Sequence, residues 1–177
     1  MKSIKGYFNF PDFYQFAVDH LVNTFSKDIK ILEVGTYFGA SAYYLGGITH
    51  GMNIQVDTID TFKGSPEHQK KGKIPSFVEA TENLKDFPHV SVFVSDSLEW
   101  ARETKVLEIE YNMVFLDGLH SYEQVKAEIE AYLPLIKDGG IISGHDYNNT
   151  WKGVIKAVNE AFGSGVEVMG DCWYVKL

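Results

Sequence analysis

Two short stretches of the sequence place acids and histidines directly after apolar runs. The run at 111–116 is followed by Asp117 and His120, and the run that ends in "IISG" is followed by His145 and Asp146. Residues that follow neighbouring parallel strands lie close together at one edge of a sheet. Two carboxylates and an imidazole suit a divalent cation, because Mg²⁺ prefers oxygen ligands and a histidine favours Mn²⁺, Fe²⁺ or Zn²⁺. We therefore predict Asp117, His145 and Asp146 as metal ligands.

The same residues offer a general base. An imidazole with an ordinary pKa near 6.5 accepts a proton at neutral pH, so His120 and His145 are both candidates, beside Asp117 as a third catalytic residue. A histidine just before a helix is often only a hydrogen-bonded structural residue, and that interpretation of His120 stays open. A metal-free site in which His145 is the base also stays open.

These residues need strands and helices to position them, and the chain alternates the two. Short apolar runs predict strands at 29–34, 54–59, 90–94, 111–116 and 141–144. Three- and four-residue apolar spacing, with caps and breakers, predicts helices at 11–26, 39–49, 76–86 and 151–162, and two more that begin at Ser97 and Ser121. Ser121 and Gln124 form a capping-box pair, Pro134 kinks or ends that helix early, and Gly139-Gly140 closes it. Residues 61–75 are predicted to form a polar loop.

Strands that alternate with helices imply right-handed crossovers. We therefore predict an α/β fold with a doubly wound, mainly parallel sheet. The segments 166–170 and 172–177 are separated by one residue, which predicts an antiparallel strand pair at the end of the chain and seven strands in all. Ligands of such sheets bind beyond the carboxyl ends of the strands.

Length and composition narrow the function classes. The 177 residues fit one domain, 1–177, in which 1–28 form an N-terminal helical extension. A net charge of −8 argues against a nucleic-acid partner, and apolar runs of a few residues predict no membrane span. One cysteine, Cys172, suits a reducing cytoplasm.

The turn after the first strand distinguishes between nucleotides. A dinucleotide fingerprint has three glycines, but the aligned positions here hold Glu33, Gly35 and Phe38. An anionic Glu33 would repel a pyrophosphate and Phe38 would hinder close packing, which disfavours a nicotinamide-dependent oxidoreductase. A positively charged ligand would welcome the carboxylate.

In this turn the sequence resembles the class I S-adenosylmethionine-dependent methyltransferases, whose first motif appears here as Glu33, Gly35 and Gly39. The resemblance implies a Rossmann-like fold, a donor methionine group beside the glycine-rich turn, ribose hydroxyls on Asp60 and the adenine amine on Asp96. Alone, each of these residues reads more simply as a turn or cap residue. The implied cofactor-binding residues are Glu33, Gly35, Thr36, Tyr37, Phe38, Gly39, Ser41, Asp60, Thr61, Phe62, Asp96, Ser97 and Asp117.

"DGLHSY" and "GHDY" resemble a subgroup that includes small-molecule and sugar O-methyltransferases and cephalosporin-hydroxylase-like proteins. Members carry acids after strands four and five that hold Mg²⁺; His145 stands where an acid is usual. The resemblance implies transfer of methyl from S-adenosylmethionine to an oxygen of a small polar acceptor, with a divalent cation, Mg²⁺ or Mn²⁺, as an optional second cofactor. A non-catalytic nucleoside-binding module and a metal-dependent hydroxylase-like enzyme are the alternatives. The sequence does not decide whether the chain forms an oligomer.

Overall fold

A seven-stranded sheet forms the centre of the protein in a computed structural model that describes residues 4–70 and 72–177. The strand order is β3-β2-β1-β4-β5-β7-β6. The strands are β1 Ile29–Val34, β2 Ile54–Asp60, β3 Val90–Val94, β4 Tyr111–Leu116, β5 Ile136–Gly144, β6 Glu167–Met169 and β7 Cys172–Lys176. β1 to β5 pair in parallel, and β7 pairs antiparallel with both β5 and β6. The predicted doubly wound fold with a closing antiparallel pair is confirmed.

Helices cover both faces of the sheet. They are α1 Pro11–Thr24, α2 Ala40–Ile48, α3 Pro66–Lys70, α4 Phe77–Leu84, α5 Ser97–Val106, α6 Tyr122–Tyr132 and α7 Lys152–Phe162. Six of them were predicted to within a few residues. The short helix α3 was not, because it lies in the segment 61–75, which was predicted to form a loop throughout. Within the described part of the chain, no helix combines the length and the apolar character that a bilayer crossing needs.

The start of β5 corrects one prediction. Gly139 and Gly140 do not close a helix; α6 ends at Tyr132, a turn of 3₁₀ helix with Pro134 follows, and β5 begins at Ile136. The β4–β5 register shifts between Tyr111 and Met113, and a β-carbon on Gly140 would lie 2.6 Å from the carbonyl oxygen of Asn112. The two glycines therefore mark an irregularity in the strand, which glycine tolerates and larger residues do not.

The N-terminal helix α1 is part of the core. Phe13, Tyr14, Ala17, Val18 and Leu21 form its buried face. The rings of Phe13 and Tyr14 lie 5.6 and 5.0 Å from that of Phe115 on β4. Burying a side chain of this size contributes about 1.5–3 kcal/mol, so α1 is fixed against the face of the sheet. This contact brings Tyr14 beneath the turn that follows β1.

Candidate active site

A cavity of about 790 Å³, its open mouth included, lies at the carboxyl ends of the central strands. Seven of the predicted cofactor-binding residues line it: Gly35, Tyr37, Asp60, Thr61, Asp96, Ser97 and Asp117. They come from the ends of four strands, β1 to β4, as expected for this class of sheet. We call this space the donor cavity.

Gly35 lets the turn after β1 pass close to the end of β4. Its φ is +104°, and a β-carbon there would lie 2.1 Å from the carbonyl oxygen of Asp117. The Gly35 amide donates a 2.8 Å hydrogen bond to the carbonyl of Ile59, and the Asp117 amide donates one of 2.8 Å to Val34. These contacts leave no room for a side chain at position 35, so both the packing and the positive φ require glycine there.

Asp60 organises two loops at once. One carboxylate oxygen accepts a 2.8 Å hydrogen bond from the amide of Tyr37, and the other accepts one of 2.7 Å from the amide of Phe62. Tyr37 and Phe62 both have positive φ, 52° and 54°, a conformation that costs free energy outside glycine. Each carboxylate oxygen can accept a second hydrogen bond, so Asp60 retains acceptors for a ligand's hydroxyl groups.

Glu33 lies under the donor cavity and does not line it. Its side chain is fully buried and accepts hydrogen bonds of 2.7 Å from the hydroxyls of Tyr14 and Thr58, and a further one from Ser41. Burial raises the pKa of Glu33 to about 7, although these hydrogen bonds oppose the rise. The carboxylate therefore supports the turn from below, and the expected direct attraction between Glu33 and a cationic ligand is not present in this geometry.

Five more predicted cofactor residues lie near the donor cavity without lining it. Thr36 is buried and shares a 2.7 Å hydroxyl contact with Thr58. Phe38 is buried and its carbonyl accepts from Asn83, while Gly39 caps α2 with φ 83°. Ser41 hydrogen-bonds to Glu33, and the ring of Phe62 packs edge-on against Phe77. Their role as ligand contacts stays a prediction.

At its other end the cavity is lined by a polar cluster. Asp96 caps α5, accepting hydrogen bonds from the amides of Leu98 and Glu99. Next to it, the Ser97 hydroxyl donates to Glu128 at 2.6 Å, and the Gln124 side chain donates to both Ser97 and Glu128, at 3.1 and 2.9 Å. Burial raises the pKa of the Glu128 carboxyl, which is 2 % exposed.

Sequence reasoning missed Gln124 and Glu128 as lining residues. Ser121 does cap α6, accepting from the Gln124 amide, but the Gln124 side chain turns to the cluster and does not complete the predicted capping box. Glu128 falls on the inward stripe of α6, beside Val125 and Ile129. An acid on an apolar stripe was the signal available, since buried acids are rare without a partner.

The predicted metal ligands meet at the rim of the donor cavity. His120 Nε2 lies 2.9 Å from Asp146 Oδ2 and 3.8 Å from Asp117 Oδ1. His145 Nδ1 lies 3.5 Å from Asp146 Oδ1 and 3.7 Å from Asp117 Oδ1. Asp146 has φ 61°, in the left-handed region of backbone conformation. Strands β4 and β5 therefore bring all four residues together, and we call this cluster the rim.

The most compact set of ligand atoms differs from the predicted one. One atom each from Asp117, His120 and Asp146 lie within 4.8 Å of one another, so His120 takes the place predicted for His145. His120 Nε2 is buried and, among the residues that the structure describes, makes no aligned hydrogen bond despite its short contact with Asp146. When the ring is neutral, its lone pair and the two carboxylates offer three ligand atoms to one point, so this set fits a divalent cation.

The two carboxylates of the rim determine whether His120 is protonated. Burial alone would lower the pKa of His120, but Asp117 and Asp146 outweigh it and raise the pKa to about 10. Burial raises the pKa of Asp117, while the two histidines outweigh burial and lower that of Asp146. The pair of acids thus stabilises a positive charge, either a proton on His120 or a cation held in its place. A protonated imidazole is not a base, which weighs against His120 as the base of a cation-free site.

His145 is enclosed by aromatic rings. Its side chain is 3 % exposed, and its ring centroid lies 4.6 Å from Phe10 and 6.3 Å from Tyr7. His120 is 18 % exposed and packs at 4.4 Å against Trp151. An acceptor reaches the surface of His120 more easily than that of His145. Which of them acts as a base stays a prediction.

Comparison with known proteins agrees with this fold. Residues 32–147 match the family described as "Methyltransferase domain". The calicheamicin methyltransferase CalS11 superposes with a TM-score of 0.76 at 17% identity, covering 94% of this chain and 77% of that one. The O-methyltransferase NovP gives 0.73 at 17% identity, covering 94% and 78%. The MycE methyltransferase of the mycinamycin pathway, in complex with Mg and S-adenosylhomocysteine, gives 0.60 at 14%, covering 96% and 50%.

The strand order and the structural likeness define a doubly wound α/β protein with a Rossmann-like fold. Because the matched residues make up more than half of the chain, the chain belongs to the methyltransferase domain family.

Proposed function

We propose that this protein transfers a methyl group from S-adenosylmethionine to a hydroxyl oxygen of a small polar molecule. The observation that carries the proposal is that Asp60, Asp96 and Asp117 line one cavity at successive strand ends, beside the acidic rim. NovP is named an O-methyltransferase, and MycE binds S-adenosylhomocysteine, the product of the same donor. These relatives support the choice of donor and of an oxygen acceptor.

The donor's sulfonium supplies an electrophilic methyl carbon. The residues of the chain fix its position: Asp60 accepts hydrogen bonds from the ribose hydroxyls, Asp96 and Ser97 receive the adenine end, and Gly35 lets the backbone approach the methionine end. Asp117 marks the reacting end, because it lines the donor cavity and also belongs to the rim. Such positioning can supply about 7–11 kcal/mol of the barrier reduction.

The rim orients the acceptor hydroxyl, and Asp117 or His145 takes up its proton, because His120 either carries a proton already or holds the cation. As the O–H bond breaks, the oxygen forms a bond with the methyl carbon, and the electrons of the carbon–sulfur bond pass to sulfur. The products are a methyl ether and S-adenosylhomocysteine. Where a divalent cation is present, Asp117, His120 and Asp146 would hold it, and it would lower the pKa of the acceptor hydroxyl. The Mg complex of MycE supports this choice of cation.

Calorimetric titration with S-adenosylhomocysteine tests the first step. We expect saturable binding that is weakened at least about tenfold in Asp60→Asn, because one of its charged acceptors is lost. Asp57→Asn, on the same strand but outside the donor cavity, is the matched control and should bind as the unmodified protein does. Absence of binding would contradict the proposal. Binding without methylation of any hydroxylated acceptor would favour the non-catalytic alternative.

Three further predictions are retained with this proposal. The 177 residues form one methyltransferase domain, and residues 1–28 are its N-terminal extension. The protein works in the cytoplasm, in keeping with its single cysteine, Cys172, which is buried on β7. Its partner is the small acceptor, with neither nucleic acid nor membrane involved.

A further inference from the structure

Two acids with opposite surroundings lie at one end of the donor cavity. Asp96 is exposed and caps α5, whereas Glu128, on α6, is 2 % exposed, and both line the cavity. Burial raises the pKa of Glu128, and the charge of Asp96 raises it further. Neighbouring carboxyls whose surroundings differ in this way take different protonation states. An exposed aspartate is ionised at neutral pH, so the buried Glu128 is the neutral member of the pair.

The hydrogen bonds of Glu128 determine which of its oxygens carries the proton. Ser97 Oγ and Gln124 Nε2 both donate to Oε1, at 2.6 and 2.9 Å. Oε2 accepts no hydrogen bond from the described residues, and it is not one of the fully enclosed polar atoms that lack a partner, so it stays accessible from the cavity side. Because Oε1 already accepts from two donors, the proton of the neutral carboxyl resides on Oε2. Glu128 therefore offers a ligand one hydrogen-bond donor.

The carboxyl has no cation that would keep it ionised. Among the residues that the structure describes, none forms an ion pair with Glu128. A buried carboxylate without such a partner is strongly disfavoured, whereas a buried neutral carboxyl needs only hydrogen bonds. Geometry and burial thus agree on a protonated Glu128.

An adenine base carries the complementary pattern on its Watson–Crick edge, where the exocyclic amine donates and the ring nitrogen N1 accepts. Asp96 is an acceptor for the amine, and the Oε2 hydroxyl of Glu128 is a donor for N1. We propose that Glu128 reads N1 of the methyl donor's adenine while Asp96 holds the amine. This inference rests on the proposed function and adds a specificity-determining residue from α6 to it.

The pair of acids selects adenine against hypoxanthine and guanine. In these two bases N1 carries a hydrogen and position 6 carries a carbonyl oxygen. The carbonyl oxygen would face the Asp96 carboxylate, and the N1 hydrogen would face the Oε2 hydroxyl of Glu128. Both contacts would set like groups against each other, and a site whose buried polar groups are left unpaired rejects such an analogue strongly.

The test compares ligands by calorimetric titration of the full chain. The probes are S-adenosylhomocysteine, its 1-deaza analogue, in which a C–H group replaces N1, and its 3-deaza analogue, in which the same replacement is made at N3. We expect the 1-deaza analogue to bind at least about tenfold more weakly than S-adenosylhomocysteine, because the Oε2 hydroxyl loses its acceptor. The 3-deaza analogue is the matched control and should bind nearly as S-adenosylhomocysteine does. A 1-deaza analogue that binds as tightly as the other two would overturn the proposal.

S-inosylhomocysteine tests both acids at once without any substitution in the protein. It carries the reversed pattern of hypoxanthine, so we expect its binding to be weaker by about a hundredfold or more. Affinity equal to that of S-adenosylhomocysteine would contradict a reading of the Watson–Crick edge.

Variants of Glu128 assign the discrimination to this residue. Glu128→Met removes the donor and keeps a side chain of similar length, so the ratio between the affinities for S-adenosylhomocysteine and the 1-deaza analogue should fall to about one. A merely structural role would weaken both ligands equally and leave the ratio unchanged. Glu128→Gln retains a donor in its amide and should retain most of the ratio. Glu130→Met, on the exposed side of α6 and outside the cavity, is the control and should keep the full ratio.

The failures of this proposal and of the proposed function are distinguishable. A full ratio in Glu128→Met would show that another group reads N1, while the donor assignment would stand. Failure of S-adenosylhomocysteine to bind the unmodified protein would contradict the donor assignment itself. Should Glu128→Met not fold, Glu128→Gln and the deaza analogues still decide, because an unmodified protein that ignores the loss of N1 excludes the role of Glu128.

Discussion

The hydroxyl of Tyr14 on α1 donates a 2.7 Å hydrogen bond to the fully buried carboxyl of Glu33 on β1. Through this bond the N-terminal helix is tied to the floor of the donor cavity. Tyr14 itself is fully buried, and burial together with Glu33 raises the pKa of its phenol well above the ordinary value. The hydroxyl therefore keeps its proton and remains a donor whatever the charge on Glu33.

The raised pKa of Glu33 predicts a stability that falls as pH rises. An unfolded glutamate titrates near 4.5 and the folded one near 7, so between these values the folded state binds more protons than the unfolded state. Linkage then requires the free energy of unfolding to decrease across this window, by up to about 3 kcal/mol. Urea unfolding from pH 4.5 to 8 measures this decrease.

Glu33→Gln removes the titrating carboxyl and keeps a side chain of nearly the same shape. The Thr36 and Thr58 hydroxyls lie 2.7 Å apart and either can donate, so the pair can reverse to accept from the new amide. We expect the pH-dependent decrease to shrink in this variant. Glu103→Gln, an exposed acid on α5, is the control and should behave as the unmodified protein does. The same pH slope in Glu33→Gln as in the control would show that Glu33 does not titrate in this range.

Gly35→Ala tests the close approach of the β1 turn to β4. A β-carbon would lie 2.1 Å from the Asp117 carbonyl oxygen, so the backbone must move at the centre of the donor cavity. We expect a loss of about 3–5 kcal/mol in the free energy of unfolding and a weaker affinity for S-adenosylhomocysteine. Chemical denaturation and calorimetry measure the two effects.

Gly51→Ala is the matched control for this substitution. Gly51 also has positive φ, 78°, but a β-carbon there would meet nothing within 4 Å. Its cost should be limited to backbone strain, about 1–2 kcal/mol, with donor binding unchanged. Equal losses in the two variants would mean that φ alone, and not the Asp117 contact, makes glycine necessary at Gly35.

The sequence predicted the strand ends well and their supporting contacts poorly. Asp60, Asp96 and Asp117 stand at the ends of short apolar runs, and parallel pairing leaves one edge at which they can meet. Glu33 was expected to contact a cationic ligand directly. A motif position alone does not show whether its side chain points into a cavity or lies beneath it. That depends on Tyr14 and Thr58, which are 19 and 25 residues away in the chain.

The ends of β4 and β5 show the same limit. The sequence pattern predicted Asp117, His145 and Asp146 as the ligands at the rim, but the compact ligand set contains His120 in place of His145. The choice between the two histidines depends on their distances from Asp146 and on the rings of Phe10 and Tyr7 that enclose His145. Neither is visible in the local pattern. The sequence predicts a helix end at Gly139-Gly140 because glycines are common both at helix ends and at bulges in strands.

Glu128 variants separate the shape of the polar cluster from its charge. Burial raises the pKa of Glu128, which favours the neutral carboxyl, so Glu128→Gln should bind S-adenosylhomocysteine nearly as tightly as the unmodified protein. Glu128→Ala leaves Ser97 and Gln124 without their partner inside the donor cavity. An unpaired buried polar group costs about 1–3 kcal/mol, so we expect binding to weaken about tenfold or more. Calorimetry that gave equal losses for both variants would show that the negative charge is what matters.

Removal of single rim residues tests the cation site through binding rather than turnover. Mn²⁺ titration followed by electron paramagnetic resonance should show one site in the protein, weakened at least about tenfold by Asp146→Asn and by His120→Ala, since each supplies one ligand atom of the compact set. His145→Ala should weaken it less, because His145 lies outside that set. Asp138→Asn, an exposed acid at the opposite end of β5, controls for net charge and should leave Mn²⁺ binding unchanged. A larger loss in His145→Ala than in His120→Ala would restore His145 as the ligand, because only direct coordination would make the more buried ring the more important one.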